Sequence, residues 1–226
     1  ILHISPYVPS VHASHAGGVC MGKELEALKK KHNVFVLSFI NDEKEEKLVE
    51  KEFKNDNKSF FVYSNTYTKG LNALAHLNKP VFFGIRSSRK FKRLLLNIVR
   101  ENSIDVIHAE YTAMGQFVWI KKYFPNIKFN LVEHDVTKQS YDRYCMGSSR
   151  IKHVYQKWQS NLVNKNEEDY LKKCDQVFTL NYKDKDLLSK YYGIQNVEVI
   201  TPYYGIDFDA VQNIHVEKEE NSICFV

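Results

Sequence analysis

The chain has 226 residues, of which 43% are hydrophobic and 13% are aromatic, so it can bury a sizeable core in one domain or two. Its net charge of +5 is too weak and too dispersed to indicate a nucleic-acid partner. The four cysteines form no C-x-x-C pair, and no uncharged apolar stretch approaches the roughly 18 residues of a membrane span. We expect a cytoplasmic protein with reduced thiols that does not cross a membrane.

Short apolar runs alternate with amphipathic patterns along nearly the whole chain. The apolar runs predict strands at residues 1–5, 34–39, 60–64, 106–109, 128–132, 176–180 and 197–200. The amphipathic patterns predict helices at residues 18–31, 44–53, 71–77, 88–101, 113–123, 150–173 and 183–192. Ser88 and Asn181 are candidate helix caps, and Gly193 is a candidate helix end. This alternation is typical of an α/β protein with a doubly wound, Rossmann-like parallel sheet that is covered by helices on both faces.

A pair of glycines, Gly17 and Gly18, opens the first helix after the first strand. Glycines let a backbone approach a ligand closely, and the free N–H groups and dipole of a helix start attract anions. We therefore expect Gly17 and Gly18 to face the diphosphate of a nucleotide or a sugar phosphate. The alternative is that the glycines only allow the helix to pack closely on its strand.

Polar residues follow the fourth and fifth strands, at the sheet edge where doubly wound proteins bind ligands. In the usual strand order, the first and fourth strands flank the point where the order reverses, so these residues and the glycine loop share one rim. His134 can donate to a hydroxyl or phosphate, with Asp135 influencing its orientation, and Glu110 can orient or deprotonate a hydroxyl. The alternatives are a hydrogen-bonded structural histidine and a solvated loop carboxylate. Tyr111 lies beside Glu110 on the same rim.

Two clusters have both a functional and a structural interpretation. The cations at the start of the fourth predicted helix would hold the protein against an anionic membrane, or they form an ordinary solvated face; they are Arg86, Arg89, Lys90, Lys92 and Arg93. The aromatic side chains of Tyr141, Tyr144, Tyr155 and Trp158 would stack on a sugar, although the helical spacing in this region favours core packing.

Other motifs indicate no metal and exclude two enzyme classes. Two D-x-D triplets, at residues 184–186 and 207–209, lie in a first helical turn and in a turn before a linker, so we expect no metal site there. No G-x-S-x-G or G-x-G-x-x-G motif is present, which argues against a serine hydrolase and a nicotinamide dehydrogenase.

Taken in order, several segments resemble the N-terminal domain of a family-4 GT-B glycosyltransferase: Ala16-Gly17-Gly18 and residues 105–111, 132–135, 174–180 and 200–207. The resemblance covers nearly all of residues 1–209. It implies retaining transfer of a sugar from a nucleotide-sugar to an acceptor hydroxyl, in a cleft between two Rossmann-like domains and with no bound metal or cofactor. It implies that Gly17 and Gly18 face the donor diphosphate and His134 the donor sugar. The rim around Glu110, Tyr111 and Asp135 would then face the acceptor.

The end of the chain suggests part of a second domain. We expect an N-terminal, acceptor-side domain at residues 1–205, a linker at 206–221 and the first strand of a donor-binding domain at 222–226. Because family members take most donor contacts from the second domain, we expect this chain alone to be inactive. We expect a role in bacterial cell-surface or exopolysaccharide synthesis, with a glycan or lipid-linked acceptor. The alternatives are a GT-B-like sugar-nucleotide epimerase, which needs no acceptor, and a non-catalytic ligand-binding module.

Overall fold

The computed structural model of the chain describes residues 1–145, residues 150–200 and Gln212. Within these residues, seven parallel strands form one sheet in the order β3-β2-β1-β4-β5-β6-β7. The strands are β1 (Leu2–Ser5), β2 (Phe35–Ile40), β3 (Ser59–Tyr63), β4 (Val106–Glu110), β5 (Lys128–Glu133), β6 (Gln176–Thr179) and β7 (Val197–Val199). The order reverses between β1 and β4, which confirms the doubly wound sheet and its predicted switch point.

Helices connect the strands and cover both faces of the sheet. They are α1 (Ala16–Lys29), α2 (Glu43–Glu52), α3 (Thr66–Ala75), α4 (Val81–Gly84), α5 (Arg89–Glu101), α6 (Thr137–Cys145), α7 (Arg150–Lys173) and α8 (Tyr182–Tyr192), with a 3₁₀ helix at Thr112–Lys122. Central strand residues such as Ile4, Leu37 and Ile107 have no exposed surface, as expected of a parallel sheet buried on two sides.

The predicted helix boundaries at Ser88, Asn181 and Gly193 are confirmed. The side chain of Ser88 accepts a hydrogen bond from the N–H group of Phe91, and that of Asn181 accepts one from Asp184. Gly193 ends α8 with a φ of 67°, a left-handed conformation that glycine adopts without strain. Asn181 also donates a 2.7 Å hydrogen bond to the carboxylate of Asp184, so the first acid of that D-x-D triplet belongs to the helix cap.

Three parts of the fold differ from the expectation, and the first is the short helix α4, which was not predicted. Residues 112–122 form a long 3₁₀ helix in place of the predicted α-helix. Helix α6 has no apolar stripe that predicts it, and it begins at Thr137 because Glu167 of α7 accepts hydrogen bonds from the N–H groups of Thr137 and Lys138 at 2.8 and 3.0 Å. A cap supplied from 30 residues farther along the chain leaves no local signal in the sequence.

Several sequence-based expectations concern residues beyond this description. The predicted linker at 206–221 (apart from Gln212), the predicted strand at 222–226 and the D-x-D triplet at 207–209 lie outside the described residues. Among the helices that the structure describes, none combines the length and the apolar character needed to cross a bilayer.

Candidate functional site

A buried carboxylate at the end of β4 is surrounded by histidines. Glu110 has no exposed surface, and its Oε2 atom accepts a 2.7 Å hydrogen bond from Nε2 of His134, the residue after β5. Its Oε1 atom lies 3.2 Å from Nε2 of His108 on β4 and 3.3 Å from Nε2 of His3 on β1. The His108 nitrogen is also 2.9 Å from Oε1 of Glu24 on α1. The switch point is therefore lined by paired acids and imidazoles.

Mutual attraction shifts the pKa values within this group. Burial acts to raise the pKa of Glu110, but the imidazoles of His108, His134 and His3 outweigh it and hold that pKa well below its usual value. Burial acts to lower the pKa of His108, but Glu110 and Glu24 raise it to about 10. Glu110 is therefore an anion at neutral pH, and it is a weak base.

The structure corrects the expected roles of Glu110 and Asp135. Because Glu110 is fully buried and both of its oxygens face imidazoles, it does not reach a ligand hydroxyl, and it is not a solvated loop carboxylate either. Its Oε2 atom contacts the His134 ring, whereas Asp135 was expected to influence the orientation of that ring. Asp135 is exposed on the rim. Because Nε2 of His134 faces Glu110, Nδ1 is the other ring nitrogen and the one that a ligand would meet.

Tyr111 covers the other side of His134 in an unusual backbone conformation. Its φ of 68° is the one positive value among the non-glycine residues that the structure describes, and such values occur most often at functional sites. The ring stacks on His134 with centroids 3.8 Å apart and planes 5° apart, and it meets Tyr7 edge-on at 5.7 Å. Burial raises the pKa of the Tyr111 phenol above its ordinary value, so the hydroxyl stays protonated at neutral pH. His134 is thus fixed by Glu110 at one nitrogen and by Tyr111 on one face.

The glycines at the start of α1 allow this aromatic group to approach the helix. A Cβ atom at Gly17 would lie 2.0 Å from the Tyr111 hydroxyl, and one at Gly18 would lie 2.4 Å from Cβ of Ala13. Nδ1 of His15, the helix cap, accepts a 3.0 Å hydrogen bond from the Gly18 N–H group. Close packing therefore accounts for both glycines. Because the Gly18 N–H group is bonded to His15, it is not available for the predicted phosphate contact. The predicted contact of Gly17 with a phosphate, at the start of α1, is not affected by this hydrogen bond.

Replacing Gly17 with alanine is expected to lower the free energy of unfolding by about 1–3 kcal/mol, because Tyr111 is held between His134 and Tyr7 and cannot move aside freely. Gly70→Ala is the matched control: a Cβ atom there meets nothing within 4 Å, so we expect stabilisation of up to about 1 kcal/mol. Urea unfolding monitored by circular dichroism measures both. Equal stability of the Gly17→Ala and wild-type proteins would show that the tyrosine position is not fixed.

An aromatic cavity of about 400 Å³ lies next to the rim. Its lining comprises Phe82, Tyr111, Thr112, Asp135, Thr137, Ser140, Tyr141, Tyr144, Tyr155, Gln156 and Gln159. Tyr144, Tyr155 and Trp158 are 69%, 51% and 42% exposed, so the core-packing interpretation of these aromatic residues is wrong. Tyr144 and Tyr155 instead line the cavity, and Trp158 packs against Tyr155.

Two amide groups in the cavity wall have unused hydrogen-bonding capacity. Oε1 of Gln156 and Nε2 of Gln159 are buried, and neither has a hydrogen-bond partner in the part of the chain that the structure describes. Gln159 uses its Oε1 atom to accept a 2.8 Å hydrogen bond from the backbone of Val81. One unpaired acceptor and one unpaired donor suit a ligand that carries hydroxyl groups.

The basic cluster divides into one buried and four surface residues. Arg86 is only 3% exposed, donates to Asn41 at 2.9 Å and packs over the rings of Tyr7 and Phe39, so the expectation that it belongs to a surface patch is wrong. Arg89, Lys90 and Arg93 are exposed and Lys92 is half-buried. We call these four residues of α5 the basic patch. Because α5 leads directly into β4, its start and the basic patch lie at the carboxyl edge of the sheet, where the rim lies.

The family model for Glycosyltransferase Family 4 matches residues 21–210 of the chain. The chain belongs to Glycosyltransferase Family 4. No curated protein matches it by sequence.

Solved structures show the GT-B fold of this family-4 chain. A sucrose-phosphate synthase from Thermosynechococcus elongatus is similar at a TM-score of 0.56 and 13% identity, over 88% of this chain and 47% of that one. Phytolacca americana UGT2 complexed with UDP-2fluoro-glucose and pterostilbene is similar at 0.54 and 9% identity, over 93% of this chain and 56% of that one. The family-4 chain thus spans about half the length of these structures, and it has the α/β architecture of GT-B glycosyltransferases.

Around Glu110 and the glycines of the family-4 chain, four residues were not predicted: His3, His15, Glu24 and His108. The signal for His108 was present, since residues two apart on a strand point to the same face and Glu110 is two positions on. The register that pairs His3 with His108 follows once β1 and β4 are neighbours. His15 directly precedes the glycines, at the position where a side chain caps a helix. For Glu24, the sequence predicts only that the residue lies on a helix.

Proposed function

We propose that this chain is the acceptor-side half of a two-domain glycosyltransferase that transfers a sugar, with retention of configuration, from a nucleotide-sugar to an acceptor hydroxyl. The observation that carries the proposal is one juxtaposition: the stacked His134–Tyr111 pair at the switch point separates the glycine end of α1 from the aromatic cavity. A donor at the glycine end and an acceptor in the cavity would meet at His134. Family membership supports the reaction class.

On the donor side, the first turn of α1 stabilises the departing diphosphate. The positive end of the helix dipole and the Gly17 N–H group favour an anion at this place. Such fixed dipoles are effective catalysts because they need no reorganisation when charge develops. Nδ1 of His134 accepts a hydrogen bond from a hydroxyl of the donor sugar, and Glu110 and Tyr111 keep the ring in place for it. UGT2 from Phytolacca americana was crystallised with a UDP-sugar, which makes a UDP-sugar a sensible first donor to assay.

On the acceptor side, the cavity takes a ligand with an apolar face and hydroxyl groups. Tyr144 and Tyr155 offer rings for stacking, while Gln156 and Gln159 pair with hydroxyls. Asp135 at the rim orients the reacting hydroxyl. Partial desolvation of this carboxylate, together with the nearby carboxylate of Asp184, raises the pKa of Asp135. A pyranose ring has these properties, which supports a glycan or lipid-linked acceptor in bacterial cell-surface polysaccharide synthesis.

The basic patch is proposed to hold the cytoplasmic enzyme against the inner face of the cell membrane, with the rim facing a lipid-linked acceptor. Reversing Arg89, Lys90 and Arg93 to glutamate is expected to weaken binding to vesicles containing phosphatidylglycerol by at least about tenfold, since each basic residue near such a surface contributes about 1 kcal/mol. The matched control reverses Lys47, Lys51 and Lys54, exposed residues in and just after α2. Vesicle co-sedimentation measures both variants. Equal weakening by the two would indicate net charge alone.

Product analysis with the full-length protein tests the function. The protein is incubated with UDP-sugars, with and without oligosaccharide or lipid-linked acceptors, and the products are separated and examined by NMR. We expect a glycoside that forms only with acceptor and keeps the anomeric configuration of the donor. Conversion of the donor sugar without acceptor would indicate an epimerase. Donor binding with no product under any condition would favour the non-catalytic module.

A further inference from the structure

Beneath α1, four side chains from three elements converge on one point at the switch of the sheet. They are His3, Glu24, His108 and Glu110, which we call the histidine–carboxylate cluster. Donor atoms of Glu24, His108 and Glu110 all lie within 4.8 Å of one another. Nε2 of His108 is 2.9 Å from Glu24 and 3.2 Å from Glu110, and Nε2 of His3 is 3.3 Å from Glu110.

These short contacts are not hydrogen bonds. Nε2 of His3, Nε2 of His108 and Oε1 of Glu110 are all buried, and none has a correctly directed hydrogen-bond partner among the described residues. His3 and Glu110 have no exposed surface, and His108 is 8% exposed. Leaving three such atoms unpaired is costly, and buried polar atoms nearly always have partners. The atoms lie close together but do not form hydrogen bonds with one another. A single ligand placed between them would give all three a partner.

We propose that the histidine–carboxylate cluster binds one divalent transition-metal ion, best met by Zn²⁺, through Nε2 of His108 and carboxylate oxygens of Glu24 and Glu110, with His3 alongside. Zinc is held by imidazole nitrogen and carboxylate oxygen at about 2.0–2.2 Å in tetrahedral sites, which puts neighbouring ligand atoms about 3.3–3.6 Å apart. The observed separations of 2.9–3.3 Å are slightly shorter, so the ligands would move apart by a few tenths of an ångström to admit the ion. Imidazole ligands favour zinc over Mg²⁺ and Ca²⁺.

Charge and access also fit a cation at this place. The carboxylates of Glu24 and Glu110 converge on the imidazole of His108, and this donor set suits a divalent cation. The side chain of Glu24 is 26% exposed, so an ion can reach the cluster from solvent beside α1. The cluster is separate from the D-x-D triplets, and its members lie too far apart in the sequence to form a recognisable metal motif.

A metal here would have a structural consequence for the catalytic rim. It would connect α1, which carries the glycines, with β4, and it would fix one oxygen of Glu110. The other oxygen of Glu110 holds His134, so the ion would position that ring without touching a substrate. This inference does not depend on the proposed transferase activity.

Metal binding to the full-length protein tests the proposal directly. Protein freed of metal with a chelator is titrated with ZnCl₂ by calorimetry, as wild type, as Glu24→Gln and as Glu26→Gln. Glu26 is an exposed acid of α1 outside the cluster and serves as the matched control. We expect one zinc ion in the cluster, affinity lowered at least about tenfold by Glu24→Gln, and no change with Glu26→Gln. Thermal melting of each variant checks that it is folded.

The visible spectrum of the Co²⁺-loaded wild type gives a second readout that needs no variant. An intense d–d band of tetrahedral cobalt, removed by added Zn²⁺ and unaffected by millimolar Mg²⁺, would support the proposal. Absence of zinc binding by the wild type would overturn it. So would equal zinc affinity in the wild type and a folded Glu24→Gln variant, or a cobalt spectrum of the hydrated octahedral ion.

Discussion

Replacing His134 with alanine in the full-length protein is expected to reduce kcat/KM for sugar transfer by about 100-fold or more. In the proposed function, the donor and acceptor sides meet at the His134 ring. Its position is fixed by the 2.7 Å hydrogen bond to Glu110 and by the parallel stack with Tyr111. A rigidly held group that contacts the reacting sugar commonly contributes this much to the rate. Steady-state assays with the donor and acceptor identified by product analysis measure the effect.

The control for this variant is His32→Ala, which removes an exposed imidazole after α1 and should leave kcat/KM unchanged. Removing the His134 ring also takes one partner from the buried Glu110, so both variants are compared by thermal melting to show that they are folded. A folded His134→Ala protein with activity within about threefold of wild type would remove His134 from the reaction. It would leave the aromatic cavity as a binding site only.

The second large effect is a loss of stability at alkaline pH that originates at His108. Its pKa is about 10 in the folded chain against an ordinary value of 6.5. Because the folded state holds this proton more tightly than the unfolded state, its contribution to stability is complete below pH 6.5 and disappears as pH rises to about 10. The shift sets a ceiling of about 5 kcal/mol for this contribution. The lowered pKa of Glu110 arises in part from the same interaction with His108, so the stability contributions of the two groups are not added.

Glu24→Gln isolates this effect from other titrating groups. Burial lowers the pKa of Lys79 to about 8, and that group produces a slope of the opposite sign, but it is equally present in both proteins. With one of its two carboxylates removed, His108 binds its proton less tightly. We therefore expect Glu24→Gln to cost about 1–3 kcal/mol of unfolding free energy near pH 6.5 and little near pH 10.

Urea unfolding at several pH values, with chelator present, measures this difference. Glu26→Gln, on the same helix, should differ from wild type by less than about 0.5 kcal/mol throughout, as surface substitutions usually do. A cost of Glu24→Gln that stays constant from pH 6.5 to 10 would show that His108 does not hold the extra proton. The acid limb is less informative, because burial raises the pKa values of Glu133 and Glu167 while that of Glu110 is lowered.

The positions of the strands and of several helix boundaries follow from local pattern, whereas the roles within the site do not. Short apolar runs and caps such as Ser88 and Asn181 act within a few residues, so they appear in the sequence. The position of the rim follows from the strand order alone. The role of Glu110 depends on His3 across the sheet and on His134 from the next strand. Those partners are set by packing, so an exposed catalytic acid and a buried positioning acid have the same local sequence.

The prediction that Arg86 belongs to a surface patch is wrong for a similar reason. Arg86 is separated from Arg89 by three positions, yet it turns inward to Asn41 at the end of β2, whereas its neighbours remain in solvent. Helical periodicity does not apply to it, because α5 begins only at Arg89. The aromatic residues of α6 and α7 fail in the opposite way, since their spacing is that of a buried stripe although Tyr144, Tyr155 and Trp158 are exposed.

The cap that α7 supplies to α6 has a consequence for how the chain folds. Helix α6 is polar, and the N–H groups of Thr137 and Lys138 in its first turn have Glu167 as their hydrogen-bond acceptor. The carboxylate of Glu167 also accepts a hydrogen bond from Tyr192 at 2.5 Å. A short polar helix has little tendency to form before such a long-range partner docks. We therefore expect the wall of the aromatic cavity to assemble late, after β5 and α7 have come together. In the native protein, this wall should be among the first places to open, and amide protons at Thr137 and Lys138 should exchange with solvent sooner than those of the central strands.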